Sequence, residues 1–254
     1  MDIEEILKCF NHPNSLPIEA LNAAQKMQEK ITPRLLSILE HTLLNYKNIS
    51  FVQMDYIFAL YLLSKFREKK AFPYVIALAR LPGRWPEKLL DEGLTEGLAS
   101  FIILTFNDDL SAIKNLIEDP TLNEWSRHEA LNSLLGLVAL KKLQRGDLIA
   151  YLRFLFHSPL AEDEFFVTHL VEVASDLYPE ELMDEINKAF DGYYVDDFFI
   201  EKSDIDKVLE QGKEETLLKN IYNNAYYLPI EDLEKKMLWI SDFYAEQEKN
   251  SMII

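Results

Sequence analysis

The chain has 254 residues, 48% of them apolar, and a net charge of −17. A core of useful size can therefore form without covalent staples, and a single cysteine, Cys9, excludes an internal disulfide and any zinc site built on cysteine pairs. The charge is uneven: residues 1–159 carry 18 basic and 19 acidic side chains, residues 160–254 carry 8 and 24, and so negative a field argues against nucleic acid or an anionic membrane surface as partners.

The N-terminus, Met1-Asp2-Ile3-Glu4-Glu5, is acidic where a secretory signal needs basic residues. The longest strongly apolar run, Tyr56 to Leu63, is far short of the about 20 residues that cross a bilayer. These features predict a cytoplasmic protein. Cys9 reads as a small buried hydrophobe rather than a reactive thiol.

Glycine is scarce and no stretch alternates as a strand would, whereas helical spacing of apolar residues runs throughout. In the first unit Ile18, Leu21, Ala24 and Met27 form one apolar face, and Thr32 with Pro33 predicts the start of a second helix. Further pairs follow: Tyr56–Phe66 with Pro73–Leu81, Leu94–Phe106 with Leu110–Ile117, and Arg127–Leu140 with Asp147–Phe156. The fifth pairs Phe166–Leu177 with a helix opened by Pro179-Glu180-Glu181. Leu21, Leu60, Leu98, Leu131 and Leu170 mark these units at gaps of 39, 38, 33 and 39 residues. Leu36, Val75 and Ile113 each fall 15 residues after their marker, a second coincidence in the same register. Such a period predicts stacked helical hairpins, each burying a face that it cannot bury alone.

After Phe190 the repeat loosens. Asp191 to Tyr194 reads as a turn, and Tyr193 to Phe199 as an aromatic and acidic latch or docking peptide. Ser203 with Asp206 predicts a capping box for a helix ending before Gly212. Two more helices are expected near Glu214–Tyr226 and Ile230–Glu248. The expected organisation is HEAT-like repeats over 1–190 and an acidic helical cap over 191–254, packed on the last repeat as one continuous structure.

Several ordered segments resemble one bacterial family. They are Phe72-Pro73-Tyr74-Val75-Ile76-Ala77-Leu78-Ala79-Arg80-Leu81-Pro82, Leu94-Thr95-Glu96-Gly97-Leu98, and Ile117-Glu118-Asp119-Pro120 leading to Arg127-His128-Glu129-Ala130-Leu131. Over roughly 15–212 the chain is similar to the bacterial domain-of-unknown-function family 1186, whose members are described as HEAT-like. The resemblance implies an α-α superhelix and no activity. Some members carry a cysteine-rich metal-binding tail, but this chain lacks those cysteines, so that metal is not carried over.

No complete catalytic motif is present. There is no Gly-x-Ser-x-Gly elbow, Walker loop or Gly-x-Gly-x-x-Gly. His128-Glu129 begins like the zinc-protease motif, but Asn132 stands where the second histidine belongs. Arg127 reads as an anchor between repeats, paired with Asp119, and Glu129 as solvent-facing. His169, Glu172 and Asp176 share one helix face. They could hold a divalent cation only with ligands from a second element, so a solvated polar stripe is the expectation.

The loop Arg80 to Glu87 sets Arg80, Arg84 and Trp85 on a rigid connection, the residue types that dominate binding hot spots. Tyr74, Trp125 and Arg153 are further candidates, with only one of Tyr151 and Arg153 able to face inward. The expected protein is an all-α scaffold, without cofactor or metal, that grips a protein or peptide partner through these residues. The alternatives are an enzyme or metal-binding protein whose site forms only in the fold, around His128 or His169, and a secreted bacterial effector.

Overall fold

The structure is a computed structural model that describes residues 1–240 apart from 12, 14, 51 and 193. Among the described residues there is no strand. In chain order the helices are α1 (Ile3–Asn11), α2 (Ile18–Lys26), α3 (Gln28–Asn45), α4 (Asp55–Lys65), α5 (Phe72–Ala79), α6 (Trp85–Leu90), α7 (Glu92–Thr105) and α8 (Leu110–Glu118). They continue as α9 (Glu124–Ala139), α10 (Arg145–Phe156), α11 (Glu164–Asp176), α12 (Met183–Asp191), α13 (Lys202–Gln211), α14 (Lys213–Leu217) and α15 (Leu233–Lys236). The protein is all-α, as the spacing predicts, and none of these helices is long and apolar enough to cross a membrane.

The chain divides into two compact units. One comprises Met1–Gly97, Leu104–Asn107 and the described residues from Pro229 onward, and the other Leu98–Ile103 and Asp108–Leu228. In the first unit α1 packs on α2 and α4, and α3 on α4 and α5. Helix α4 is buried at every position from Tyr56 to Ser64, and Phe58 stacks on Phe10 at 4.8 Å between ring centres. In the second unit α9 packs on α8 and α11, and α10 on α11. Three helix starts here, those of α8, α9 and α11, are held by a short acceptor. Asp109, Asn123 and Asp163 take the N–H of Ala112, Ser126 and Phe166 respectively, satisfying one of the donors that a helix leaves open.

All five marker leucines are buried, with Leu131 and Leu170 fully so. Of the second set, Val75 and Ile113 are buried and Leu36 is half-buried. At Gly136 of α9 a Cβ would meet the Ile103 side chain, so glycine leaves that side chain its room.

Three local expectations change. Thr32 does not start a helix: α3 opens at Gln28, Pro33 lies inside it, and the Thr32 hydroxyl donates to the Gln28 carbonyl within the first turn. The capping box sits two residues earlier than expected, at Glu201 and Asp204. The helix near 214–226 is instead α14 running into a π turn at Leu218–Tyr222. Of the helix expected at 230–248, the structure shows α15, and residues 241–248 lie outside the described residues, as does Tyr193 of the aromatic stretch.

Candidate metal centre

Two helices of the second unit bring three ligand-type side chains together. His128 comes from the second turn of α9, and His169 and Glu172 lie one turn apart on α11. One nitrogen of each imidazole and one Glu172 oxygen all lie within 4.8 Å of one another. The two rings stack with centres 3.6 Å apart. The Glu172 carboxylate contacts Nδ1 of His169, leaving Nε2 at the far edge of that ring.

The surroundings of the pair are aromatic and largely closed to water. His169 is 2% exposed. Phe165 meets its ring edge-on at 4.2 Å, Phe199 at 5.2 Å, and Trp125 lies 6.1 Å away. Burial, reinforced by the neighbouring His169, pushes the His128 imidazole down to about 3, so it carries no proton at neutral pH. A neutral imidazole is the form that binds metal. Among the described residues no hydrogen-bond partner reaches Nδ1 of His128 or Nε2 of His169, although both atoms are buried. Buried polar atoms normally have partners, so two orphaned ring nitrogens in one cluster call for an explanation.

A second layer supports the first. Asn132 Nδ2 lies 2.7 Å from His128 Nε2 and 3.3 Å from Glu129 Oε1, and Tyr226 donates its hydroxyl to Glu129 Oε2 at 2.7 Å. Metal-bound histidines characteristically have their other nitrogen oriented in this way. Turning the Asn132 amide over would present its oxygen to Nε2, fix the proton there and leave Nδ1 as a lone pair. Asp176, one turn beyond Glu172, accepts from Asn220 Nδ2 at 3.0 Å, and burial followed by the charge of Glu172 pushes its carboxyl up to about 7. The turn at 196–199 closes over the cluster: the Asp196 N–H donates to Thr168 Oγ1 at 2.9 Å, Phe199 reaches His169, and Phe198 is left 85% exposed.

Several sequence readings are revised by this geometry. The stripe His169, Glu172 and Asp176 is not an open solvated face: His169 is buried, and Glu172 and Asp176 are half-buried. Glu129 is 3% exposed rather than solvent-facing, since α9 is buried on nearly all sides. Arg127 does anchor neighbouring helices, but its Nε donates to the Ile117 carbonyl at 3.0 Å and its ion pair is with Asp163 at 3.6 Å, with Asp119 contributing only at longer range. The sequence separation of 41 residues hid the pairing of His128 with His169. Both lie within one turn of one of the recurring leucines, Leu131 and Leu170.

Of the residues expected to touch a partner, Trp125 packs against both imidazoles. Arg153 pairs with Glu185 at 3.1 Å, and Tyr151 takes the inward position with its hydroxyl donated to Glu118. In the first unit Tyr74 is half-buried on α5 and Arg80 caps the end of that helix. Arg84 is 80% exposed and pairs with Glu87 at 2.7 Å, and Trp85 opens α6.

Fold and site together define an all-helical protein with a partly buried cluster of two histidines and one carboxylate. A match to the family described as "Protein of unknown function (DUF1186)" covers residues 1–244, and the chain belongs to that family. Relatives in Chlamydia muridarum (strain MoPn / Nigg) and Chlamydia trachomatis serovar D are 33% and 32% identical over 249 residues, which is 96% of this chain and 98% of each relative; both are described as uncharacterized proteins. No solved structure matches the chain.

Proposed function

We propose that the protein is a HEAT-like helical scaffold, working in the cytoplasm, that holds one divalent first-row transition-metal ion between His128, His169 and Glu172. The observation that supports this reading is the convergence of these three groups within 4.8 Å, beside a buried Nδ1 of His128 that has no other partner. Two imidazoles and one carboxylate suit iron(II) or zinc and leave coordination positions open. Metal–nitrogen bonds of about 2.1 Å put tetrahedral ligand atoms about 3.4 Å apart, so the side chains close up and the stacked rings splay to meet the ion. The cation would offset the negative charge of Glu172. Zinc and cobalt(II) titrations followed by calorimetry, with cobalt absorption as the spectroscopic readout, test it. Wild type is expected to bind one equivalent and His169→Ala none, while Asn132→Ala, which keeps all three ligands, weakens binding by about 10–100-fold. Wild type failing to bind either ion, or His169→Ala binding normally, removes the proposal.

A partner-binding scaffold is the second reading, favoured by the exposed Arg84 beside Trp85 at the start of α6. Arg80, Tyr74, Trp125 and Arg153 belong to it as candidates. Affinity capture with wild type and with Trp85→Ala is its test. A partner held by wild type and lost by the variant supports this reading, and identical capture by the two eliminates it for this surface.

A further inference from the structure

The first unit contains a cavity of about 300 Å³ between the α6 region and the indole of Trp239. We propose that it binds a small organic ammonium compound, with the charged nitrogen seated between aromatic faces and the Asp91 carboxylate. This site is independent of the histidine cluster.

Four observations converge on that ligand class. First, two of its walls are indoles, Trp85 and Trp239, and each is held in place. The ring of Tyr46 meets Trp85 edge-on at 5.1 Å, and Trp239 Nε1 donates to the Tyr61 hydroxyl at 3.0 Å. Fixed aromatic faces attract cations through their ring quadrupole, tryptophan most strongly. Second, the cavity already contains a cation of the protein's own: Lys88 Nζ lies 4.7 Å from the Trp85 ring centre. An ammonium group is therefore compatible with this surface, and the long side chain of Lys88 can swing out to admit another.

Third, the lining carries a carboxylate with no ion-pair partner among the described residues. Glu87 is matched by Arg84, whereas no described residue pairs with the carboxylate of Asp91. Fourth, Asp91 is held in a costly conformation, φ 48° and ψ −128°, where glycine is the unstrained choice. The backbone on either side secures it: its N–H donates to the Glu87 carbonyl at 2.8 Å, its carbonyl accepts from Leu94 at 3.0 Å, and the Tyr56 hydroxyl binds the Leu89 carbonyl at 2.8 Å. Strain that persists beside a cavity is a pointer to function there. The volume is at the lower end for ligand pockets, which suits a free small molecule rather than a folded segment.

The roles follow from the geometry. Trp85 and Trp239 supply dispersion and cation–π attraction, Asp91 supplies the counter-charge, Met54 and its apolar neighbours accommodate the alkyl groups, and Lys88 acts as an internal competitor. Choline and 3,3-dimethylbutan-1-ol test the reading as probes, because they share a shape and differ in charge. Calorimetry and tryptophan fluorescence are read on wild type, Lys88→Met and Asp91→Asn, each checked by circular dichroism and a thermal melt. Asparagine tolerates positive φ nearly as well as aspartate, so the second variant keeps the backbone.

Choline is expected to bind, with the neutral isostere at least about tenfold weaker. Lys88→Met should bind choline severalfold more tightly than wild type, and Asp91→Asn about tenfold more weakly. Equal affinity for choline and its isostere, an unchanged affinity in Asp91→Asn, or no choline binding even in Lys88→Met would each overturn the proposal. The metal titrations are unaffected by these outcomes, so the two sites stand or fall separately.

Discussion

Arg127→Ala is expected to destabilise the protein by about 4 kcal/mol, the sum of a large-to-small core truncation and an orphaned carbonyl. The guanidinium is 3% exposed, and it joins three helices. Its Nε satisfies the Ile117 carbonyl near the end of α8, its plane lies 4.5 Å from the Phe166 ring on α11, and Nη1 approaches Asp163, the residue that caps α11. Alanine would leave a void between the helices and an unpaired carbonyl where α8 stops. Asp163 is half exposed, so water replaces its lost partner and that part of the cost is small. Methionine at 127 keeps most of the packing and avoids burying a charge, and is expected to cost about half as much as alanine. Lysine is a poor substitute, because a point ammonium cannot both bind the carbonyl and stack on Phe166. Equilibrium denaturation of the three variants measures this. An alanine variant within about 1 kcal/mol of wild type would show that the anchor carries no weight, since core truncations of this kind usually exceed that.

The same helix shows what could and could not be read from the chain. The all-helical class was legible because glycine is scarce and apolar residues keep helical spacing along the chain. The recurring leucines are all buried, as the apolar faces of helices require. Which polar residues lie inside was not legible. Nearly every position of α9 from Ser126 to Val138 is buried, so this helix has no amphipathic stripe to separate an inward Glu129 from an outward one. On α11 the polar stripe was visible, but a polar stripe against solvent and one against a second helix look alike in sequence. Deciding between them needs the partner helix, and the histidine it supplies lies 41 residues earlier. Trp125 was read as a candidate contact for a partner, and nothing local reveals that it packs against the two imidazoles. Pro33 failed in the opposite way, as a strong local signal for a helix start that the packing of Ile31 and Leu35 in one continuous helix overrode.

Asp176→Asn is expected to stabilise the metal-free protein, and increasingly so as pH rises. Burial, then the charge of Glu172 on the same helix, raises the Asp176 carboxyl to about 7, against 3.8 in the unfolded chain. Asn220 donates to it from the π turn and partly offsets the shift, while burial, followed by the charge of Asp176, pushes the Tyr227 hydroxyl up. Between about pH 4 and pH 7 the folded state therefore holds a proton that the unfolded chain has released. Stability from this group is complete below pH 4 and is lost as pH rises through 7, at about 1.4 kcal/mol per pH unit and up to about 4 kcal/mol in all. His128 acts in the opposite sense over much of the same window. Its folded value of about 3 against 6.5 means that stability is present above 6.5 and is lost as pH falls. The two slopes largely cancel in wild type, so its own pH profile is uninformative. The difference between wild type and Asp176→Asn removes the histidine, because both proteins contain it. Asparagine has the shape of the protonated acid and can still accept from Asn220. The two proteins should therefore be nearly equal at pH 4, with the variant gaining about 2–4 kcal/mol by pH 8. A difference that does not change between pH 4 and pH 8 would mean that Asp176 titrates normally in the folded protein, with water reaching it beside Glu172.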